Sequence, residues 1–151
     1  MVALNEEHGT TAWMASTEEI FRENLPEDLE AHQWLKFGFD TDSDEVKQRI
    51  IEELEKNELL ELSNSSPWNI EINAVGINKA RALEKVCGMM NITLNEVMAV
   101  GDSLNDIKMI QEAGLGIAMG NAQDKVKEEA DWITKTNEED GVAHAIKHFL
   151  L

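Results

Sequence analysis

The chain has 151 residues, 42% of them apolar, enough for one ordinary domain or two small lobes with a core. Lys and Arg total 13 against 30 Asp and Glu, a formal net charge of -17 that repels nucleic-acid phosphates and anionic membrane surfaces, so neither is an expected partner. The single Cys87 excludes an internal disulfide, no stretch is apolar and long enough for a membrane span, and MVALNEEHGTTAW lacks the basic and apolar regions of a secretory signal, so the expected location is cytoplasmic.

In chain order, TTAWMAS reads as a strand and STEEIFREN as a short helical start with Ser16 or Thr17 as N-cap. HQWLKFGF is apolar and aromatic enough for a strand, and DTDSDEVKQRIIEELEKN follows with Val46, Ile50, Ile51 and Leu54 at helical spacing. ELLELSNSS and WNIEINAV read as two antiparallel strands around a Ser/Asn/Pro turn, with Ile70 and Ile72 alternating. Residues 1–75 are therefore expected to form an α+β lobe.

The texture changes at GINKARALEKVCGMM, where Ala80, Leu83, Cys87 and Met90 share one helical face after Gly76 breaks the strand. From residue 96 strands and helices alternate: EVMAVGD, LNDIKMIQEA, LGIAMG, AQDKVKEEA, DWITK and DGVAHAIKHFLL. Short strands apolar on both faces, each followed by a helix, predict parallel β/α units over residues 76–151.

In open parallel sheets ligands collect outside the carboxyl ends of the strands, and GDSLND sits at such an end. Asp102 falls just past the strand, Ser103 is placed to cap the next helix, and Asn105 and Asp106 lie in its first turn. Two carboxylates with amide and water oxygens suit Mg²⁺, a hard ion that takes oxygen ligands and retains several waters. Gly101 lets the backbone approach closely. The bland alternative is that Asp102 and Asp106 only cap the helix and complement its dipole. Lys79 opens the preceding helix and is placed to bring an ammonium toward the same crevice, although a single lysine at a helix start is usually a surface residue.

With these residues in order, the sequence resembles the haloacid dehalogenase (HAD) superfamily of phosphatases, in particular its Cof-type branch. EINAVGINKARALEKV is similar to the segment leading into that branch's lysine motif. VMAVGDSLNDIKMI is similar to its GDSxND metal motif, and LGIAMGNAQDKVKEEADWITKTNEEDGVAHAI to its carboxyl-terminal end. The resemblance covers residues 69–149, and residues 33–65 are compatible with the second half of the Cof cap domain. It implies an α/β fold: a partial Rossmann-like parallel core over 76–151, preceded by part of an α+β cap over 1–75.

The resemblance also implies roles. Lys79 is the lysine that steadies the aspartyl nucleophile and the transferring phosphoryl group. Asp102 binds Mg²⁺, Asp106 supports the metal through water or neighbouring contacts, and Asn105 holds substrate phosphate. Asn121 in MGNA matches a family position near the crevice, while GNA also makes a plain turn before a helix. The substrates implied are phosphomonoesters of small metabolites, such as sugar phosphates or flavin precursors.

Family members begin with a strand ending in DxDx[TV], whose first Asp attacks phosphorus and whose second is general acid and base; those elements do not appear before the cap-like segment. FGFDTDSDEV places Asp40 and Asp42 at the right mutual spacing, but Ser43 and Asp44 stand where Gly and Thr or Val are expected, so a loop with Asp or Ser capping the next helix is the preferred reading. A compact phosphatase using Asp40 and Asp42 is the lesser alternative. Without a nucleophile the chain alone is expected to be inactive, since it has no route to a phosphoenzyme. It is then one piece of a phosphatase, the partner of a complementing N-terminal fragment, or a non-catalytic binding or assembly module. The missing strand belongs beside the one ending at Asp102, so an apolar sheet edge and a homodimer are also expected.

His144 and His148 are spaced i, i+4, but with no third ligand near in sequence they read as helix-surface histidines. Trp13, Trp34, Trp68 and Trp132 read as core or lobe-interface residues, and Met89, Met90, Met98, Met109 and Met119 as core positions of the β/α region.

Overall fold

The computed structural model describes residues 2–22 and 24–151. The chain divides into two compact units, Met1–Gly76 and Ile77–Leu151.

The first unit runs α1 (Val2–His8), β1 (Thr11–Ser16), β2 (Ile20–Arg22), β3 (Trp34–Asp40), α2 (Asp44–Leu54), β4 (Leu60–Ser63) and β5 (Asn69–Ala74). Its strands form an antiparallel sheet of order β2-β1-β3-β5-β4. Side chains alternate across a strand, so register decides what is buried. Ala12, Phe39 and Ile70 share one cross-strand row and pack with Ile72 against Ile50 and Leu54 of α2. The next row, Trp13, Gly38 and Glu71, lies on the other face. There the indole of Trp13 lies over Gly38, where a Cβ would come within 2.2 Å of its ring carbons. Lys36 Nζ meets the buried Glu71 Oε2 at 2.5 Å, and Ser65 Oγ donates to Oε1 at 2.7 Å.

The expected helical start over 16–24 is instead a hairpin. Ser16 Oγ accepts from the N–H groups of Glu18 and Glu19 at 3.1 and 3.0 Å, and its own N–H donates to Glu19 O at 2.9 Å. A serine oxygen caps a turn as readily as a helix, and here Trp13–Ala15 offer ladder partners to residues 20–22. Glu23 lies outside the described residues. The strand after the turn at 64–68 pairs with β4 as expected, and Ser43 caps α2 by accepting from Val46 N–H at 3.3 Å.

The second unit contains α3 (Lys79–Met90), β6 (Met98–Gly101), α4 (Ile107–Glu112), β7 (Leu115–Ala118), α5 (Asp124–Glu128), β8 (Trp132–Ile133) and α6 (Gly141–Phe149). The three strands make a parallel sheet of order β6-β7-β8. Ile110 of α4 and Val126 of α5 pack with Ala118 and Met119 at the end of β7. The fold is the mixed α/β, partly Rossmann-like class expected of the sequence.

Two packing expectations fail. Met89 and Met90 are exposed, because the buried stripe of α3 stops at Cys87: Asn91 turns left-handed (φ 55°) and Ile92 N–H returns to Cys87 O at 3.1 Å, ending the helix. Trp68 is also exposed, on the loop between β4 and β5, whereas Trp13 is buried. Among the described residues no helix is long and apolar enough to cross a membrane.

Candidate functional site

The carboxyl ends of β6, β7 and β8 are joined into one rim by backbone bonds. Met119 N–H donates to Gly101 O at 2.9 Å, Thr134 N–H to Ala118 O at 2.9 Å, and Gly120 N–H to Lys135 O at 3.0 Å. The loops that follow the strands therefore lie side by side, as they must for residues distant in sequence to meet one ligand.

At the end of β6 the chain enters a 3-10 turn, Leu104–Asp106, that leads into α4. Ser103 and Asp106 close a capping box: Ser103 Oγ accepts from Asp106 N–H, and Asp106 Oδ2 accepts from Ser103 N–H at 3.2 Å. The same Oδ2 accepts from Asp102 N–H at 3.0 Å. Its companion Oδ1 receives Lys79 Nζ at 2.6 Å. Asp106 is 4% exposed, so one buried carboxylate ties the lysine of α3 to the backbone on which Asp102 is carried.

Gly101 makes this possible. A Cβ there would lie 2.4 Å from Asp106 Cβ and 2.6 Å from its Cγ, so the close approach inferred from sequence is to the Asp106 side chain itself. Lys79 is positioned by α3, whose N-cap Asn78 accepts from Arg81 N–H at 3.0 Å. Its side chain is half exposed, leaving ammonium hydrogens turned to solvent.

Asp102 differs from Asp106 in every respect that matters to a ligand. Its main chain is held from both sides, by Asp106 and by Gln123 N–H donating to its carbonyl at 3.0 Å, while the residue itself is exposed. Asn105 sits half-buried within the 3-10 turn. Asn121 is exposed on the loop after β7, and its Oδ1 accepts from Asn137 N–H at 2.9 Å, so this side chain braces the neighbouring loop. Sequence reasoning missed Gln123 and Asn137. Both act here through backbone N–H groups, which no side-chain pattern announces.

The donor set admits the Mg²⁺ that the resemblance implies, with an asymmetry. Both oxygens of Asp106 are committed to Lys79 and to N–H groups, whereas Asp102 presents an exposed carboxylate at a strand end. Among the described residues no group of three or more His, Cys, Asp and Glu is gathered for a metal. Magnesium is commonly held by one or two carboxylates with waters and substrate phosphate, so one free carboxylate fits.

Asp40 belongs to the first unit, where it closes β3 and faces Arg22 at 3.7 Å; Thr41 Oγ1 next to it accepts from Ser43 N–H at 3.2 Å. These contacts are those of a strand end leading into a capped helix.

A family model described as haloacid dehalogenase-like hydrolase matches residues 3–146. The chain belongs to this family. Among similar proteins, this HAD-family chain is 57% identical over 148 residues to the 5-amino-6-(5-phospho-D-ribitylamino)uracil phosphatase YcsE of Bacillus subtilis, covering 98% of the chain and 59% of the relative. It is 40% identical over 139 residues to the phosphatase YwpJ of the same organism, covering 92% of the chain and 47% of the relative. A solved haloacid dehalogenase-like hydrolase from B. subtilis superposes with a TM-score of 0.90 at 26% identity, over 99% of this chain and 68% of the other. The HAD-family chain thus spans between about half and three-fifths of the two curated relatives.

Proposed function

We propose that the chain is the carboxyl-terminal part of a Mg²⁺-dependent, Cof-type HAD phosphatase that hydrolyses phosphomonoesters of small metabolites. The observation that carries this reading is the bond from Lys79 to Asp106 on the loop that carries Asp102, at the carboxyl end of a parallel strand. Such a grouping supports the reading, because phosphoryl transfer calls for a cation at the phosphoryl oxygens and a carboxylate for a metal.

In this reading Asp102 holds the ion and Asp106 sets the position of both Asp102 and Lys79. Lys79 turns its remaining N–H donors to phosphoryl oxygen, with Asn105 and Asn121 on the adjacent loops as further phosphate contacts. Bound Mg²⁺ supplies charge neutralisation of a transferring phosphoryl group. Residues 1–75 take the place of part of the cap. The first substrate to assay is 5-amino-6-(5-phospho-D-ribitylamino)uracil, the compound in the name of the 57% identical relative.

The chain contains no DxDx[TV] motif before residue 79, so it is expected to release no phosphate alone. The test is phosphate release from a chromogenic ester with Mg²⁺. The wild-type chain should be silent. Addition of a separately expressed DxD-bearing fragment from the relative should restore turnover, and Asp102→Asn should abolish it. Turnover by the chain alone that is lost in Asp40→Asn would replace this reading with a compact enzyme.

A second reading is an assembly or binding module, and the observation favouring it is that β6 ends the β6-β7-β8 order as an edge strand. An open edge of a parallel sheet invites another strand, from a complementing fragment or a second copy. Light scattering at micromolar concentration distinguishes the outcomes: a dimer supports the edge as a self-association surface, and a monomer that gains mass only with the DxD fragment supports the split phosphatase.

A further inference from the structure

Away from the β6 loop, the second unit gathers three aromatic rings around Trp132. His144 and His148 of α6 both stack on its indole, with ring centroids at 5.5 and 5.1 Å and planes within 10° and 3° of parallel. The two imidazoles are 6.5 Å apart and within 12° of each other, and Phe149 stands edge-on to Trp132 and His148. The two imidazoles stand one turn apart on α6, at positions i and i+4.

That arrangement matters because the lone pair of an imidazole nitrogen lies in the ring plane. Imidazoles four residues apart on one helix can direct lone pairs at a single ion, through bonds of about 2.0–2.1 Å. The tautomer of His144 is also set. Thr134 Oγ is buried and spends its one hydrogen on Gly141 O at 2.7 Å, so its 3.1 Å contact with His144 Nδ1 requires Nδ1–H to be the donor. The neutral ring then carries its lone pair on Nε2. A second ring nitrogen bonded to a protein oxygen is the usual orientation of a metal-ligating histidine.

We propose that His144 and His148 form a two-imidazole site for a borderline divalent transition ion such as Ni²⁺, Cu²⁺ or Zn²⁺, completed by water and separate from the Asp102 carboxylate. The sequence-based reading is of helix-surface histidines, and His148 is indeed exposed on α6; the proposal gives that surface pair a ligand, and Thr134 and Trp132 are distant enough in sequence to give no signal of it. Among the described residues no third His, Cys, Asp or Glu joins the pair, so the site is a chelating pair open to solvent. Nitrogen donors select against Mg²⁺, which prefers oxygen, and the affinity order should follow copper above nickel above zinc.

The experiment is calorimetric titration of Ni²⁺ into the tag-free chain at neutral pH, with quenching of tryptophan fluorescence as a second readout. The expected result is saturable binding of one ion per chain, unaffected by millimolar Mg²⁺ and weakened at least tenfold in both His144→Gln and His148→Gln. Unfolding temperatures without metal identify any variant that fails to fold; if His144→Gln does, the exposed His148 decides alone. Equal binding by His148→Gln and the wild type, or no saturable binding at millimolar Ni²⁺, overturns the proposal. His8 and His32 remain in both variants and control for adventitious imidazole.

Discussion

Lys79 Nζ lies 2.6 Å from Asp106 Oδ1, and the other oxygen of that buried carboxylate takes the N–H groups of Asp102 and Ser103. Two aspartates four residues apart thus divide their work. Asp106→Asn removes the charge that pairs with Lys79 and leaves one amide oxygen for the work of two carboxylate oxygens. A buried N–H without its acceptor costs about 1–3 kcal/mol, so urea unfolding should show a loss of that size. Asp102→Asn alters an exposed carboxylate and should stay within about 0.5 kcal/mol of wild type. Equal losses in the two variants would contradict the division.

Gly101 offers an independent check on the same geometry. Adding one methyl places a carbon 2.4 Å from Asp106 Cβ, closer than atoms in a packed interior stand, so either the 3-10 turn or β6 must shift. Overpacking of this kind costs about 1–3 kcal/mol. Gly101→Ala should therefore unfold at lower urea, and should lose much less in an Asp106→Gly background, where the clash is gone. Additive losses in that double-mutant comparison would mean that the side chain of Asp106 does not lie on Gly101.

The parts of this site that sequence made legible are those that depend on local pattern. A short apolar strand, a glycine, an aspartate and a helix start are spelled out by AVGDSLND, and the alternation that follows identifies the parallel sheet. The capping role of Ser103 was equally readable, since serine followed three residues later by an acid is a helix-start signature. What was not legible depends on partners far along the chain. Gln123 holds the carbonyl of Asp102 through a main-chain N–H, and Asn121 braces residue 137. The same limit explains the hairpin at Ser16, where the pairing of residues 20–22 with β1 decided between helix and strand.

Two exposed glutamates give the chain a defined response to acid. Glu96 accepts from the backbone N–H and then the hydroxyl of Thr93, and Glu139 from the hydroxyl and then the N–H of Thr136, which holds both carboxyls below the ordinary glutamate range. A depressed folded-state pKa contributes stability that is fully present above the unfolded-state value, about 4.3, and is lost as pH falls through the folded-state value. The thermal midpoint of wild type should exceed that of Glu96→Gln at pH 6, and the gap should close as pH falls below 4. A gap unchanged from pH 6 to pH 3 would assign the effect to something other than ionisation.

The asymmetry between the carboxylates also lets the proposed metal site be tested apart from the proposed phosphate site. An ion held at Asp102 loses its protein carboxylate in Asp102→Asn, so Mg²⁺ binding, followed by calorimetry or with Mn²⁺ as a paramagnetic substitute, should fall at least tenfold. Lys79→Met acts in the opposite sense on the cation, because it removes a positive charge from the neighbourhood of the ion, and Mg²⁺ affinity should hold or rise by a few-fold. On the proposed reading the same change also deprives phosphoryl oxygen of an ammonium partner, so binding of inorganic phosphate in the presence of Mg²⁺ should weaken. Retention of Mg²⁺ affinity in Asp102→Asn, or loss of it in Lys79→Met with phosphate binding intact, would place the ion elsewhere than on the loop after β6.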